Sequence, residues 1–170
     1  MKRSLAPAAF LALCLLVSTA RAADERPLPK AGDIPAVAFG ITRDGDPVEA
    51  KQFAGKVLVV TFWASWCGPC LKELPLLEGI QKAANGSVQV VAVNIEARER
   101  FRALHDRLKS FALLVAHDYN KAGREAYGVN GIPHMMIIGR DGRILKVHRG
   151  YSEDGVDRII AEINAALAAS

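Results

Sequence analysis

Apolar residues follow two rhythms along this chain. At 57–63 (VLVVTFW) and 88–95 (VQVVAVNI) the runs are almost unbroken and rich in β-branched residues, as in strands covered on both faces. Shorter runs at 111–115, 135–138 and 144–147 predict three further strands, the last two joined by the Asp-Gly turn of Gly139-Arg140-Asp141-Gly142. The second rhythm is helical. Phe101, Leu104 and Leu108 recur every three or four positions among charges, predicting an amphipathic helix over 96–110, and 154–168 reads the same way. Residues 69–84 predict a helix that contains Pro75, expected to kink it, and that ends at Asn85-Gly86. A short helix over 120–127 stops at Gly128. Upstream, 37–41 alternates and Arg43-Asp44-Gly45-Asp46 turns the chain before Pro47-Val48, predicting a short N-terminal hairpin. Strands that first alternate with helices and then close on a hairpin predict a mixed-sheet α/β sandwich.

With 170 residues the chain has room for one ordinary domain with a real core. Its first segment reads differently from the rest: Lys2 and Arg3, an apolar run over 8–17, then Ala20-Arg21-Ala22 with small residues where a signal peptidase cuts. Residues 1–22 are read as a secretory signal cleaved after Ala22, 23–32 as a polar, proline-bearing spacer, and 33–170 as the folded domain. An uncleaved anchor helix is the alternative, but the apolar run falls short of the about 20 residues that span a bilayer. Leu11-Ala12-Leu13-Cys14 is similar to a lipobox, with Leu13 where a small residue is wanted. The leader holds Lys2, Arg3 and Arg21 and no acid, so its removal takes the 22 basic residues to 19 against 18 acidic ones. A net charge near +1 gives no electrostatic case for nucleic acid or an anionic membrane.

Chemistry concentrates at Trp66-Cys67-Gly68-Pro69-Cys70. Cys14 leaves with the leader, so Cys67 and Cys70 are the two cysteines of the exported chain. They stand where a strand becomes a helix, and the first sulfur meets free N–H groups and the macrodipole, which favour the nucleophilic thiolate. A structural disulfide over so short a loop would be a weak staple. Redox chemistry is the better reading.

Five segments together resemble the thioredoxin superfamily, and within it the TlpA/ResA-type thiol–disulfide oxidoreductases: 55–63, 66–70, Glu73-Leu74-Pro75, Gly131-Ile132-Pro133 and 141–144. A bare C-x-x-C is weak, since zinc sites also use it, but the set is specific and covers about 32–168. The resemblance implies a three-layer sandwich with a central mixed β-sheet, an N-terminal β-hairpin and an inserted helix. It implies Cys67 as the exposed attacking thiol, Cys70 as the buried resolving thiol, and a cis bond at Ile132-Pro133 facing them across the substrate groove. Trp66, Gly68, Pro69 and Ile132 would line that groove, while Trp63 packs in the core. Gly68-Pro69 matches the dipeptide of reducing thioredoxins. Glu73 stands where this group keeps a functional acid, and Thr61 where thioredoxin buries an aspartate, so Glu73 is expected to relay protons to Cys70. A solvated first-turn glutamate is the plainer alternative.

His134 departs from the family's small hydroxyl residue. At the groove edge it could tune Cys67 or read substrate, or with Cys67, Cys70 and Met135 or Met136 complete a soft-ligand copper site. A surface histidine without a role is the plain alternative, and His105, His117 and His148 are read as ordinary. The expected protein is periplasmic and monomeric, reduces protein disulfides, draws electrons from a membrane-embedded donor and needs no cofactor beyond its two sulfurs. A copper-binding module and a disulfide oxidase or isomerase are the rivals.

Overall fold

A computed structural model describes residues 28–108 and 110–169, without the side chains of 105–107. The predicted leader and residues 23–27 of the spacer lie outside the described residues. Among the described residues no helix is long and apolar enough to cross a membrane.

Seven strands form one mixed sheet in the order β2-β1-β5-β4-β3-β6-β7. β3 (Val57–Trp63) and β4 (Val88–Asn94) lie parallel at its centre, with β5 (Leu114–His117) parallel beyond β4. β6 (His134–Ile138) runs antiparallel to β3 and pairs with β7 (Ile144–Arg149). The hairpin, β1 (Gly40–Ile41) and β2 (Pro47–Val48), extends the opposite edge antiparallel to β5. A Cβ on Gly40 would come within 2.8 Å of the His117 carbonyl oxygen, so only glycine lets the hairpin approach so closely.

The period-2 alternation of the strands sorts their side chains onto two cores. Val57, Val59 and Trp63 of β3 and Met135 and Ile137 of β6 join Cys67, Cys70, Leu74 and Leu77 of α1 (Gly68–Ala83) and Ile159 and Ile163 of α4 (Val156–Ala168). On the other face Leu58, Val60 and Phe62 meet Phe39, Met136 and Tyr127, the last following α3 (Ala122–Ala126). α2 (Arg98–Leu108) packs beside β5, where Phe101 stacks on His117 at 4.4 Å. The three-layer α/β sandwich expected from the sequence is the observed architecture.

Several boundaries shift for identifiable reasons. α2 starts at Arg98 rather than 96 because Glu96 is drawn back to Asn94 and Ser65. The strand predicted at 111–115 forms at 114–117, since both backbone polar groups of Ala112 bond to α1 side chains, Glu78 at 2.8 Å and Gln81 at 2.8 Å. Pro75 lies inside α1, where its ring faces outward and exposed. A 3-10 helix at Ala50–Phe53 was not predicted, and Gly32, last residue of the predicted spacer, is tied to Ile144 and Arg143. Leu77 is fully buried in the α1 core, so Leu77→Ala should cost about 2–5 kcal/mol. Urea unfolding should show this as a lower midpoint at unchanged slope.

Candidate active site

β3 ends at Trp63 and the chain turns at once: the Cys67 amide donates to the Ala64 carbonyl at 3.1 Å. Cys67 then takes an extended conformation (φ −89°, ψ 98°) as the N-cap of α1, and its sulfur accepts the Cys70 N–H at 3.2 Å. Pro69, in the first turn, lacks the N–H that would there go unsatisfied. Cys67 and Cys70 are joined as a disulfide, with Cα atoms 5.3 Å apart. Cys67 keeps 5% exposure and Cys70 none. The sequence reading expected an exposed Cys67; in the disulfide form it is nearly covered, and Cys70 is fully buried. When the bond is reduced, Cys67 is the sulfur that backbone N–H donors and the helix dipole favour as thiolate.

Glu73 lies one turn beyond Cys70, on the same helix face, and is 1% exposed. Thr61 Oγ1 donates to its Oε2 at 2.6 Å. Thr61 shares a face of β3 with Val59 and Trp63, so it points to the thiol side of the sheet. Burial pushes the Glu73 carboxyl up to about 7 against the opposing pull of the Thr61 hydroxyl. The alternative of a solvated first-turn glutamate is thereby overturned.

The Ile132-Pro133 peptide is cis. It lies one step beyond the last β3–β6 pair, Phe62 with His134, at the sheet end where β3 enters the thiol turn. Ile132 packs against the core that holds both cysteines, and the Pro133 carbonyl accepts the Gly150 amide at 2.8 Å. Trp66 is 70% exposed beside the turn, whereas Trp63 is buried as expected.

His134 corrects the sequence reading. It is fully buried, neither on the surface nor at a groove edge, and neither ring nitrogen has a hydrogen-bond partner. β6 sends Met135 and Ile137 to the thiol core and His134, Met136 and Ile138 to the opposite face, where the imidazole meets Phe62 edge-on at 6.1 Å. Its pKa is pushed down to about 4, by burial first and then by Arg149. The copper set of Cys67, Cys70 and His134 is not brought together. Among the described residues no three His, Cys, Asp or Glu are grouped to hold a metal ion. Of the other histidines, His117 is buried with Nε2 2.8 Å from the Glu96 carbonyl oxygen, His148 pairs with Glu162 at 2.6 Å, and the side chain of His105 lies outside the described residues.

Sequence reasoning missed the support of the thiol turn. Glu96 accepts the Ser65 N–H at 2.6 Å, the Ser65 hydroxyl at 2.9 Å and the Asn94 side chain at 3.0 Å. Burial raises the Glu96 carboxyl, but these donors and Arg100 outweigh it and hold the pKa below the usual range. Asn94, polar at the end of the apolar run 90–93, was the available signal. Beside the disulfide, Gly68, Pro69, Lys72, Tyr151 and Glu153 line an open groove of about 590 Å³, crossed by a Lys72–Glu153 ion pair at 2.7 Å.

A C-x-x-C disulfide capping a helix, a cis-proline at the adjoining sheet end and this mixed sheet together define the thioredoxin-fold class. The Redoxin family model matches residues 30–167. ResA of Bacillus subtilis, a thiol–disulfide oxidoreductase, is 32% identical over 110 residues, covering 63% of this chain and 60% of that protein. ResA of Halalkalibacterium halodurans is 31% identical over 130 residues, covering 74% and 72%. A solved structure from Chlorobium tepidum, assigned as a DsbE-type thiol:disulfide interchange protein, superposes with a TM-score of 0.72 at 31% identity, covering 83% of this chain and 99% of that one. The first curated relatives are matched over 62% of their length. This chain belongs to the Redoxin family, in the TlpA/ResA-type branch of the thioredoxin superfamily.

Glu73 and His134, both buried, give opposite pH dependences. Glu73 takes up a proton more readily folded than unfolded, so its contribution is fully present below pH 4.5 and is lost as pH rises through about 7. His134 resists protonation in the fold, so its contribution is present above pH 6.5 and is lost as pH falls toward about 4. In urea unfolding of the oxidised protein, Glu73→Gln should gain stability relative to the parent between pH 4.5 and 7.5. A difference independent of pH would contradict the shift.

Proposed function

We propose that this chain is an exported thiol–disulfide oxidoreductase that reduces disulfides in protein substrates. The observation that carries the reading is the Cys67–Cys70 pair at the start of α1 with a buried carboxyl one turn behind it. In the reduced form the Cys67 thiolate attacks one sulfur of a substrate disulfide, forming a mixed disulfide and expelling a substrate thiolate that takes up a proton. Cys70 must then lose its proton to attack Cys67. Glu73, with a pKa near 7, is poised to accept that proton, because an acid titrating close to working pH moves protons in both directions. Attack by the Cys70 thiolate on Cys67 expels the second substrate thiolate, which takes up a proton, and leaves the Cys67–Cys70 disulfide. Two electrons and two protons pass to the substrate. No dissolved cofactor takes part.

The direction rests on Gly68-Pro69, the dipeptide of reducing thioredoxins. Protein chains are the natural substrates for the open groove along Gly68, Pro69 and Tyr151, with the exposed Trp66 beside the thiols as an apolar contact. The N-terminal leader argues a periplasmic location, where the oxidising environment requires a membrane-embedded electron donor to restore the dithiol. Apocytochrome c and copper-site cysteines are the substrate types suggested by the family resemblance.

Trapping tests this scheme. Cys70→Ser should accumulate a mixed disulfide with a disulfide-bearing protein substrate, whereas Cys67→Ser should form none and lose reductase activity by several orders of magnitude. A Cys70→Ser protein that accumulates no adduct would contradict the assignment of attacker and resolver. Glu73→Gln should lower the rate of the resolving step about 10²–10⁴-fold, the usual contribution of a general base, and should remove a titration near pH 7 from its profile. An unchanged profile would remove Glu73 from the mechanism.

A further inference from the structure

The groove beside the disulfide has two walls. One is the start of α1, with Gly68, Pro69 and Lys72, and the other is the segment after β7, with Tyr151, Ser152, Glu153 and Asp154. Lys72 stands three residues beyond Pro69 and four beyond Gly68, so it shares their helix face. Its ammonium donates across the groove to Glu153 Oε1 at 2.7 Å, joining residues 81 apart in the chain. Among the described residues no other hydrogen bond or ion pair joins α1 to residues 151–155. One contact between two long side chains therefore ties the walls together.

That contact opens at little cost. Lys72 and Glu153 are 66% and 72% exposed, and ion pairs so exposed are weak and screened by salt. Titration near neutral pH does not open it. Glu153 holds the Lys72 ammonium above its ordinary pKa, first by the hydrogen bond and then by its charge, and Lys72 holds the Glu153 carboxyl below its own in the same way. The far wall itself stays anchored, because the Gly150 amide donates to the Pro133 carbonyl at 2.8 Å and the Gly155 amide to the Ser152 carbonyl at 3.1 Å. Rotation of the two side chains is enough to part the walls.

We propose that the Lys72–Glu153 bridge is a gate on the groove, which a substrate chain must part and which sets the rate on protein disulfides relative to small ones. The proposal rests on the reductase reading above. A protein disulfide brings chain on either side of its sulfur, about 3.3–3.6 Å for each residue, and that chain must lie along the walls the bridge joins. A small disulfide brings no such chain.

Single-turnover reduction of insulin and of bis(2-hydroxyethyl) disulfide by the pre-reduced full chain tests the gate. Lys72→Gln and Glu153→Gln should each raise the ratio of the insulin rate to the small-disulfide rate about two- to fivefold, the range set by the strength of an exposed ion pair. Combining the two substitutions should give the same ratio as either alone, since a bridge is broken once. Exchanging the charges, Lys72→Glu with Glu153→Lys, should return the ratio towards the parent's. Added salt should raise the ratio of the parent and not that of the glutamine variants. Circular dichroism would verify that the variants fold. An unchanged ratio, or shifts of opposite sign in the two single variants as long-range charge steering would give, would overturn the gate and leave the reductase reading standing. A parent that reduces neither disulfide would overturn both.

Discussion

β3 is buried along all seven of its residues, and it must hand the chain to α1 through the short turn at 64–67. That constraint makes Cys67 the cap of a helix and sets Cys70 one turn inside it, against the sheet. It also brings Thr61, two residues before the end of β3, against Glu73 on the first turns of α1. Strand pairing does the rest. β6 lies antiparallel to β3, so the peptide before it, Ile132-Pro133, comes to the same end of the sheet as the thiols. Sulfur, carboxyl and proline come to one end of the sheet because one strand stops where it does.

A buried carboxyl with a single hydroxyl donor is a costly feature in a stable core. In the proposed scheme the cost has a chemical return, because poor solvation is what moves the Glu73 pKa to about 7, within reach of a thiol's proton. Glu96 shows the opposite solution. It is surrounded by donors, stays ionised and serves as an anchor for Ser65. Two glutamates on either side of the same turn thus have different tasks, set by how many N–H and O–H groups face each. His134, without a partner at either nitrogen, behaves as a neutral aromatic filler beside Phe62.

Much of this was legible in the sequence. The unbroken apolar runs identified β3 and β4, the Asp-Gly turn identified β6 and β7, and Cys67, Cys70, Glu73 and Pro133 were marked by their motifs and by family resemblance. What escaped has common physical causes. The side of the sheet that His134 faces depends on the register of β6, which a proline-bounded segment does not reveal. The delayed start of β5 depends on Glu78 and Gln81 reaching 34 and 31 residues along the chain to Ala112. The Ser65–Glu96 contact joins residues 31 apart, and no local pattern reports it. Long-range polar contacts and strand register are tertiary facts.

The central claim is that the Cys67–Cys70 couple works as an electron donor, and its reduction potential tests that most directly. Equilibration of the chain from residue 23 to 170 in thiol redox buffers should give a value near about −270 mV, as in thioredoxin. A value close to about −120 mV, typical of a strong oxidant, would contradict the assigned direction and make the protein a donor of disulfides.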